Sequence, residues 1–144
     1  MKHQGSCLCG KIQFQVSAEI NTIYHCHCSL CRKQSGTDSN GATLIARKYF
    51  KWLCGEEHIQ QFEKASGFRV HFCRSCGSAV PNRVGQQPWM WIPLGLIDTP
   101  IYIQKRLGFC MQSSANWSYE KVLDQQYGQL PHGEELKQLF QLDD

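Results

Sequence analysis

Nine of the 144 residues are cysteines, and seven of these fall into three tight groups. Each group is closely followed by a glycine, which can adopt the positive-φ conformations that wrap backbone around a metal ion. Zinc–sulfur bonds of ~2.3 Å in a tetrahedron place the sulfurs under ~4 Å apart, so cysteines two or three residues apart must lie on a bend to share one ion. The groups are Cys7-Leu8-Cys9 before Gly10, Cys26-His27-Cys28-Ser29-Leu30-Cys31 before Gly36, and Cys73-Arg74-Ser75-Cys76 before Gly77.

Counting ligands divides the seven cysteines into four and three. The first and last groups together supply four thiolates, which is the number in a closed structural zinc site. The middle group supplies three, and three protein ligands with one open position are typical of catalytic zinc. We therefore predict two zinc sites, a four-cysteine cluster (Cys7, Cys9, Cys73 and Cys76) and a cysteine triad (Cys26, Cys28 and Cys31).

Other partitions are open at this point, such as a triad completed by a histidine. His25 and His27 alternate with the cysteines, so in an extended chain they point to the opposite face. We therefore interpret both as non-ligands. Cys54 and Cys110 stand outside the three groups, and we interpret each as a small buried hydrophobic residue.

The remaining composition places this chemistry in one domain spanning residues 1–144, since a chain of this length forms a single core. The longest nearly apolar run, 89–97, is about half of the ~20 residues that a membrane-spanning helix needs. The first residues lack the hydrophobic stretch of a secretory signal. We therefore expect a cytoplasmic protein with no membrane segment, a setting in which clustered cysteines indicate metal or catalysis rather than disulfides.

The charge argues against a nucleic-acid partner. The formal net charge is +3, but seven thiolates subtract seven charges and two zinc ions add four, which brings the sum to zero. The basic pairs Arg32-Lys33, Arg47-Lys48 and Lys105-Arg106 are scattered along the chain. A nucleic-acid surface concentrates such residues in a stripe, so we expect no nucleic-acid binding.

Most of the chain has the pattern of short strands between turns. Ile12, Phe14 and Val16 alternate with polar residues, as in a half-buried strand. The end of the chain differs, because Leu136, Leu139 and Phe140 lie at helical spacing and predict an amphipathic helix over 133–142 that packs on the sheets. The fold class is therefore mainly β with a short C-terminal helix. We predict strands over 12–16, 42–46, 68–73 and 89–94, continued at Ile101 and Ile103.

These motifs make the chain resemble the glutathione-dependent formaldehyde-activating enzymes, a family with centromere protein V among its relatives. The resemblance covers roughly residues 5–131, and its three cysteine motifs in this order are specific. Weaker matches lie at 95–98 and at Trp117. The motifs are Gly5-Ser6-Cys7-Leu8-Cys9-Gly10, Cys26-His27-Cys28-Ser29-Leu30-Cys31-Arg32-Lys33-Gln34-Ser35-Gly36 and Phe72-Cys73-Arg74-Ser75-Cys76-Gly77.

The resemblance implies small antiparallel sheets that lean together like a tent and are pinned by zinc, with residues 132–144 as a helical extension. It implies a structural zinc on the four-cysteine cluster and a more loosely held zinc on the triad. The activity it implies is addition of glutathione to formaldehyde, which gives S-hydroxymethylglutathione. The chain departs from its relatives at Gly108 and Asn116, where they often carry a histidine and a proline.

Thiol chemistry connects the triad to this activity. A free thiol has a pKa near ~8.5, whereas zinc binding deprotonates it outright, and the resulting thiolate can attack an aldehyde carbon. We predict that Arg32 and Lys33 pair with the two glutathione carboxylates, that Ser35 and Gly36 shape the loop around the ligand, and that Trp117 lies in the cavity wall or in the core.

Two alternatives stay open at this point. One is a glutathione-dependent enzyme with another small electrophile. The other is a non-catalytic module in which zinc builds a surface for a protein partner, and a fourth protein ligand at the triad would favour it.

Overall fold

The computed structural model describes residues 2–118 and 123–143. In this part of the chain strands dominate and form three sheets, so the prediction of a mainly β fold is confirmed. The strands are β1 (His3–Ser6), β2 (Gln13–Val16), β3 (Thr22–Cys26), β4 (Asn40–Ala46), β5 (Phe50–Cys54), β6 (Ile59–Glu63), β7 (Arg69–Cys73), β8 (Asn82–Arg83), β9 (Trp89–Pro93), β10 (Lys105–Phe109) and β11 (Gln125–Gln126). The α-helices are α1 (Ser29–Ser35) and α2 (Gly133–Phe140).

The largest sheet has the order β11-β10-β3-β4-β9-β8. It is mixed rather than purely antiparallel, because β10 pairs in parallel with both β3 and β11. Strands β4 and β9 lie in its middle and are buried along most of their length. The parallel pairing has a local consequence, since it sets Phe109 opposite Cys26 and so brings the end of β10 beside the triad.

The two smaller sheets position the cysteines of the first and last groups. Strands β1, β2 and β5 form an antiparallel sheet, and β6 and β7 form a hairpin. Phe14 and Val16 of β2 are fully buried and pack against Ile45 and Ile92 of the large sheet. The apolar residues of the alternating pattern in β2 therefore face the core, as predicted.

The C-terminal helix packs as an integral part of the large sheet's core. Leu136 is buried in the same cluster as Tyr24 and Phe109, and the ring of Phe140 meets that of Tyr24 edge-on, with centroids 5.8 Å apart. The predicted packing face of this helix is confirmed. No helix in the described ranges is long and apolar enough to cross a membrane.

Two local predictions are wrong. Ile101 and Ile103 belong to no strand, although both pack against the core; the chain pairs again only from Lys105 onward. Cys54 is exposed, because it ends β5 at the edge of the three-stranded sheet.

Candidate metal centres and the adjoining cavity

The four-cysteine cluster joins two sheets that are distant in sequence. Cys7 and Cys9 lie in the turn after β1, whereas Cys73 ends β7 and Cys76 lies in the turn that follows. All four sulfurs lie within 4.8 Å of one another. The Sγ atoms of Cys7 and Cys9 are 3.6 Å apart, a spacing close to that of two ligands on one tetrahedral zinc ion.

Two glycines close the turns of this cluster, as the sequence predicted. Gly10 and Gly77 have φ values of 78° and 79°, a conformation that a side chain disfavours. The Gly10 N–H donates to the Cys7 carbonyl at 3.0 Å, and the Gly77 N–H donates to the Cys73 carbonyl at 2.7 Å. Each turn thereby folds its two cysteines toward the same point.

Ser78 links the two cysteine pairs and sets the ionisation of Cys76. Its hydroxyl accepts a hydrogen bond from the Leu8 N–H at 2.9 Å and lies 3.4 Å from the Cys76 sulfur. Hydrogen bonding to the side chain and backbone of Ser78 lowers the pKa of Cys76 to about 5. For Cys9, a backbone hydrogen bond to Lys11 lowers the pKa, but desolvation and the neighbouring sulfurs outweigh it and bring the value to about 11.

The triad is a local structure at the end of β3. Cys26 is the last residue of that strand and is buried, and Cys28 caps α1 by accepting a hydrogen bond from the Cys31 N–H at 3.3 Å. Gly36 ends the helix with φ of 70°. Sequence analysis missed this short helix, which places all three sulfurs within 4.8 Å of one another.

Two of the triad thiols, Cys26 and Cys28, are held in their neutral form in the absence of metal. A hydrogen bond with Cys31 and burial raise the pKa of Cys26, and burial raises the pKa of Cys28. The ring of His27 is buried, with its Nδ1 3.2 Å from the His25 carbonyl oxygen.

A cavity of about 450 Å³ opens beside the triad, and all three of its cysteines line the wall. This volume lies within the ~300–1,000 Å³ range of small-molecule sites. None of the four clustered cysteines contributes to the lining, so the two cysteine sets differ in access. The polar lining residues are Gln34, Asn40, Arg69, Asn82 and Arg83, and the apolar ones include Tyr24 and Leu136.

The predicted glutathione contacts lie outside this lining. Arg32 and Lys33 belong to α1, and the Ser35 hydroxyl donates to the Cys31 carbonyl at 2.8 Å, within the turn that Gly36 closes. Trp117 is 65% exposed, so it is not a core residue. The role of these five residues toward glutathione stays a prediction.

Sequence reasoning missed the basic residues that do line the cavity. The Arg83 Nε and Nη2 groups donate to the Gln87 and Gln86 carbonyls, each at 3.2 Å, which fixes the guanidinium in its own turn. Arg69 lies 3.5 Å from the Glu63 carboxylate. Neither residue adjoins a cysteine motif in sequence that could have revealed it, because the cavity is assembled from separate sheets.

Cys110 packs against the core of the large sheet, as predicted, but it is not fully buried. It is partly buried and lines the cavity together with the triad. Burial, and next the charge and hydrogen bond of Cys26, raise the pKa of Cys110 to about 11. This cysteine is therefore part of the triad's surroundings rather than an isolated core residue.

The donor sets fit zinc by their chemistry. Four or three convergent thiols without carboxylates match the soft ligands that zinc takes in proteins. Both groups could therefore hold a metal ion.

Comparison with known proteins agrees with this donor pattern. A sequence model of the family described as glutathione-dependent formaldehyde-activating enzyme matches residues 2–113, which is well over half of the chain. The chain belongs to this family. The matched range contains both cysteine sets and Cys110, whereas α2 lies beyond it.

Individual relatives are more distant. A protein of Halomonas elongata named "Putative glutathione-dependent formaldehyde-activating enzyme" is 31% identical over 83 residues, and the match spans 54% of this chain and 53% of that protein. The chain thus spans about half of the length of this curated relative. A crystal structure of a Rhodobacter sphaeroides protein has a TM-score of 0.55 at 16% identity, covering 70% of this chain and 99% of that chain, which shows a shared fold.

Proposed function

We propose that the protein is a zinc-dependent enzyme of the carbon–sulfur lyase type that adds glutathione, or a similar thiol, to formaldehyde or another small electrophile. With formaldehyde the product would be S-hydroxymethylglutathione. The observation that carries the proposal is the opening of the three-cysteine triad onto a cavity of about 450 Å³, in a chain that belongs to the formaldehyde-activating family.

The triad would hold the zinc ion through Cys26, Cys28 and Cys31. When bound, the ion would keep a substrate sulfur in its thiolate form at neutral pH. The protein's part is then to place that sulfur and the aldehyde carbon together, and such positioning accounts for a large share of catalysis in two-substrate reactions.

The cavity also offers partners for the ends of glutathione. Arg69 and Arg83 line the same cavity as the triad, and guanidinium groups bind carboxylates through paired hydrogen bonds. The turn that holds Arg83 by two of its donor groups leaves its other N–H groups available for a ligand. We propose these two arginines as anchors for the glutathione carboxylates.

One observation supports a second candidate function, a zinc-built module that binds a protein partner. Leu8 at the tip of the first cysteine turn is 85% exposed, and exposed apolar residues can mark interaction sites. This function would need the four-cysteine cluster and Leu8 but would not need the cavity.

Calorimetry and exchange kinetics test the enzyme proposal. Zinc-loaded protein should bind glutathione and should accelerate its reaction with formaldehyde, observed by NMR exchange, whereas Cys31→Ser should do neither. Cys54→Ser is the matched control, because that thiol is exposed and outside the cavity. A rate equal to the uncatalysed rate at high protein concentration would refute the formaldehyde assignment.

The arginine anchors are tested with a pair of thiols. Arg69→Gln and Arg83→Gln should raise KM for glutathione but leave KM for cysteamine unchanged, because cysteamine has no carboxylate. Equal effects on both thiols would contradict the anchoring role.

For the compartment, we propose the cytoplasm, where a reducing environment keeps clustered thiols available for metal.

A further inference from the structure

The position of Cys110 is fixed next to the triad by the parallel pairing of β10 with β3. Phe109, its neighbour, is the register partner of Cys26. The His27 N–H donates to the Phe109 carbonyl at 2.9 Å, so the contact continues past the end of the strand. Cys110 is therefore the first residue after β10 on the side where the triad begins.

The backbone of Cys110 is in the left-handed region, with φ of 56°. This conformation is unfavourable for a non-glycine residue, and it persists only where the surrounding structure imposes it. Here the flanking residues are held by Tyr127, which directly follows β11, because the Met111 N–H donates to the Tyr127 carbonyl at 2.9 Å and the Tyr127 N–H donates to the Gly108 carbonyl at 2.7 Å.

The side chain of Cys110 faces the same space as the triad. It lines the cavity together with Cys26, Cys28 and Cys31, and its thiol interacts electrostatically with that of Cys26. A fourth thiol thus lines the cavity onto which the three-thiol set opens, and a tetrahedral zinc site takes four ligands.

We propose that Cys110 is the fourth ligand of the triad's zinc site in the resting protein, and that the substrate thiol displaces it. In the exchange the incoming thiol gives its proton to the Cys110 sulfur and takes its place as thiolate, so charge and protons balance. The displacement step rests on the proposed function, whereas the ligation does not.

Ligation requires the sulfur of Cys110 to move. Cys110 is not among the three cysteines whose sulfurs lie within 4.8 Å of one another, so its sulfur must approach the other members of the triad. Rotation about χ1, the torsion that positions a cysteine sulfur, is the movement available. The same rotation would return the sulfur to the cavity wall when a substrate thiol binds.

Cobalt spectroscopy tests the ligation independently of activity. The four-cysteine cluster is first filled with zinc, and Co²⁺ is then titrated into the triad. Cys110→Ser should lower the intensity of the thiolate-to-cobalt charge-transfer band by about a quarter, since one of four thiolates is lost. It should also weaken zinc binding at the triad by at least about tenfold, which is within the range for loss of a supporting group.

Two further variants guard against misfolding and non-specific effects. Cys110→Gly removes the sulfur but suits the left-handed backbone, so it should reproduce the spectrum of Cys110→Ser. Cys54→Ser should leave both the band intensity and the zinc affinity unchanged. An unchanged spectrum and zinc affinity in both Cys110 variants would overturn the proposal.

Glutathione titrations separate this proposal from the proposed function. In Cys110→Ser, glutathione should bind the zinc-loaded triad more tightly than in the unmodified protein, because no internal thiolate competes. If the cobalt band falls as expected but glutathione binds neither form, the ligation stands and the proposed function fails. If glutathione binds both forms equally and the band is unchanged, Cys110 is not a ligand.

Discussion

The four-cysteine cluster and the triad are built from the same side chain, but they differ in the sequence separation of their cysteines and in their access to the cavity. The cluster joins β1 to the β6–β7 hairpin and has two of its cysteines, Cys7 and Cys73, buried in a small core with Ile12 and Val80. The triad is contained between Cys26 and Cys31, and all of its cysteines line a cavity. Sequence separation and access to the cavity, rather than ligand type, thus distinguish the two cysteine sets.

The physical basis of this difference is the size of the core that each set supports. Among the described residues, the core around Cys7 and Cys73 has two other buried members, Ile12 and Val80, with a few partly buried side chains packed against it. A core of this size cannot offset the entropy of ordering two distant segments without a further constraint. The triad instead lies on the large sheet, whose core contains Tyr24, Phe109 and Leu136 independently of any metal.

Mutation of one cysteine in each set gives the sharpest test. Zinc binding contributes roughly 10–16 kcal/mol in small zinc-finger peptides, comparable to a domain's entire stability of ~5–15 kcal/mol. Cys76→Ser should therefore give an unfolded or insoluble protein. Cys31→Ser should keep the fold and one zinc ion, as measured by circular dichroism, thermal melting and elemental analysis.

The comparison would fail if both variants behaved alike. Cys31→Ser that unfolds as completely as Cys76→Ser would make the triad a structural site. Protein purified without chelator that holds one zinc ion, and takes no second ion on titration, would remove the two-site description altogether.

A substitution in the core beneath the triad should lower the free energy of unfolding without changing zinc binding at the four-cysteine cluster. Leu136 is buried beside Tyr24 and lines the cavity, so Leu136→Ala should cost about 2–5 kcal/mol in the free energy of unfolding. Denaturant titration measures this cost. The zinc affinity of the four-cysteine cluster should stay unchanged, and Leu139→Ala, at a less buried site of the same helix, should cost less.

Sequence patterns predicted the features that depend on neighbours in the chain. The alternation of Phe14 and Val16 located β2, and the helical spacing of Leu136 and Phe140 located α2 within two residues of its observed end. The cysteine groups were recognised because each turn is local and closes on its own glycine. Their division into four and three agrees with the sulfurs that the fold brings together.

Features built from distant segments could not be predicted in this way. Arg69, Arg83 and Cys110 meet at one cavity only because a hairpin, a sheet edge and a parallel strand converge there. Parallel pairing of β10 with β3 leaves no signature in either strand. Cys110 therefore resembled an isolated core residue in sequence, although it lies beside the triad.

A single hydroxyl provides a finer test of the four-cysteine cluster. Ser78→Ala removes the hydroxyl, the largest of the contributions that lower the pKa of Cys76 to about 5, and keeps the backbone hydrogen bond of residue 78, so in metal-free protein the pKa of that thiol should rise part of the way toward ~8.5. Alkylation rates measured against pH report this shift. Loss of such a supporting group should weaken zinc binding by about 10–100-fold. The control is Ser75→Ala, whose hydroxyl contacts Lys11 instead.

As the pH is lowered, the two sites should release zinc at different pH values, because they differ in the number of protons that zinc displaces. A hydrogen bond with Cys31 and burial raise the pKa of Cys26, and burial raises the pKa of Cys28, so at neutral pH both are protonated without metal and zinc must displace their protons. In the four-cysteine cluster Cys9, with a pKa of about 11, must also give up a proton, but Cys76, with a pKa of about 5, is already a thiolate and gives up none. Affinity falls about tenfold per pH unit for each proton displaced, so the triad should lose its zinc at a higher pH than the cluster.

Zinc release measured with a chromogenic chelator between pH 8 and pH 5 should therefore show two steps. The step at higher pH should be absent from Cys31→Ser, because that variant lacks the triad site. In Ser78→Ala the other step should move to higher pH, because Cys76 then also has a proton to lose when zinc binds. A single release step in the unmodified protein, or a first step that survives in Cys31→Ser, would show that the two cysteine sets do not differ in their protonation as the geometry requires.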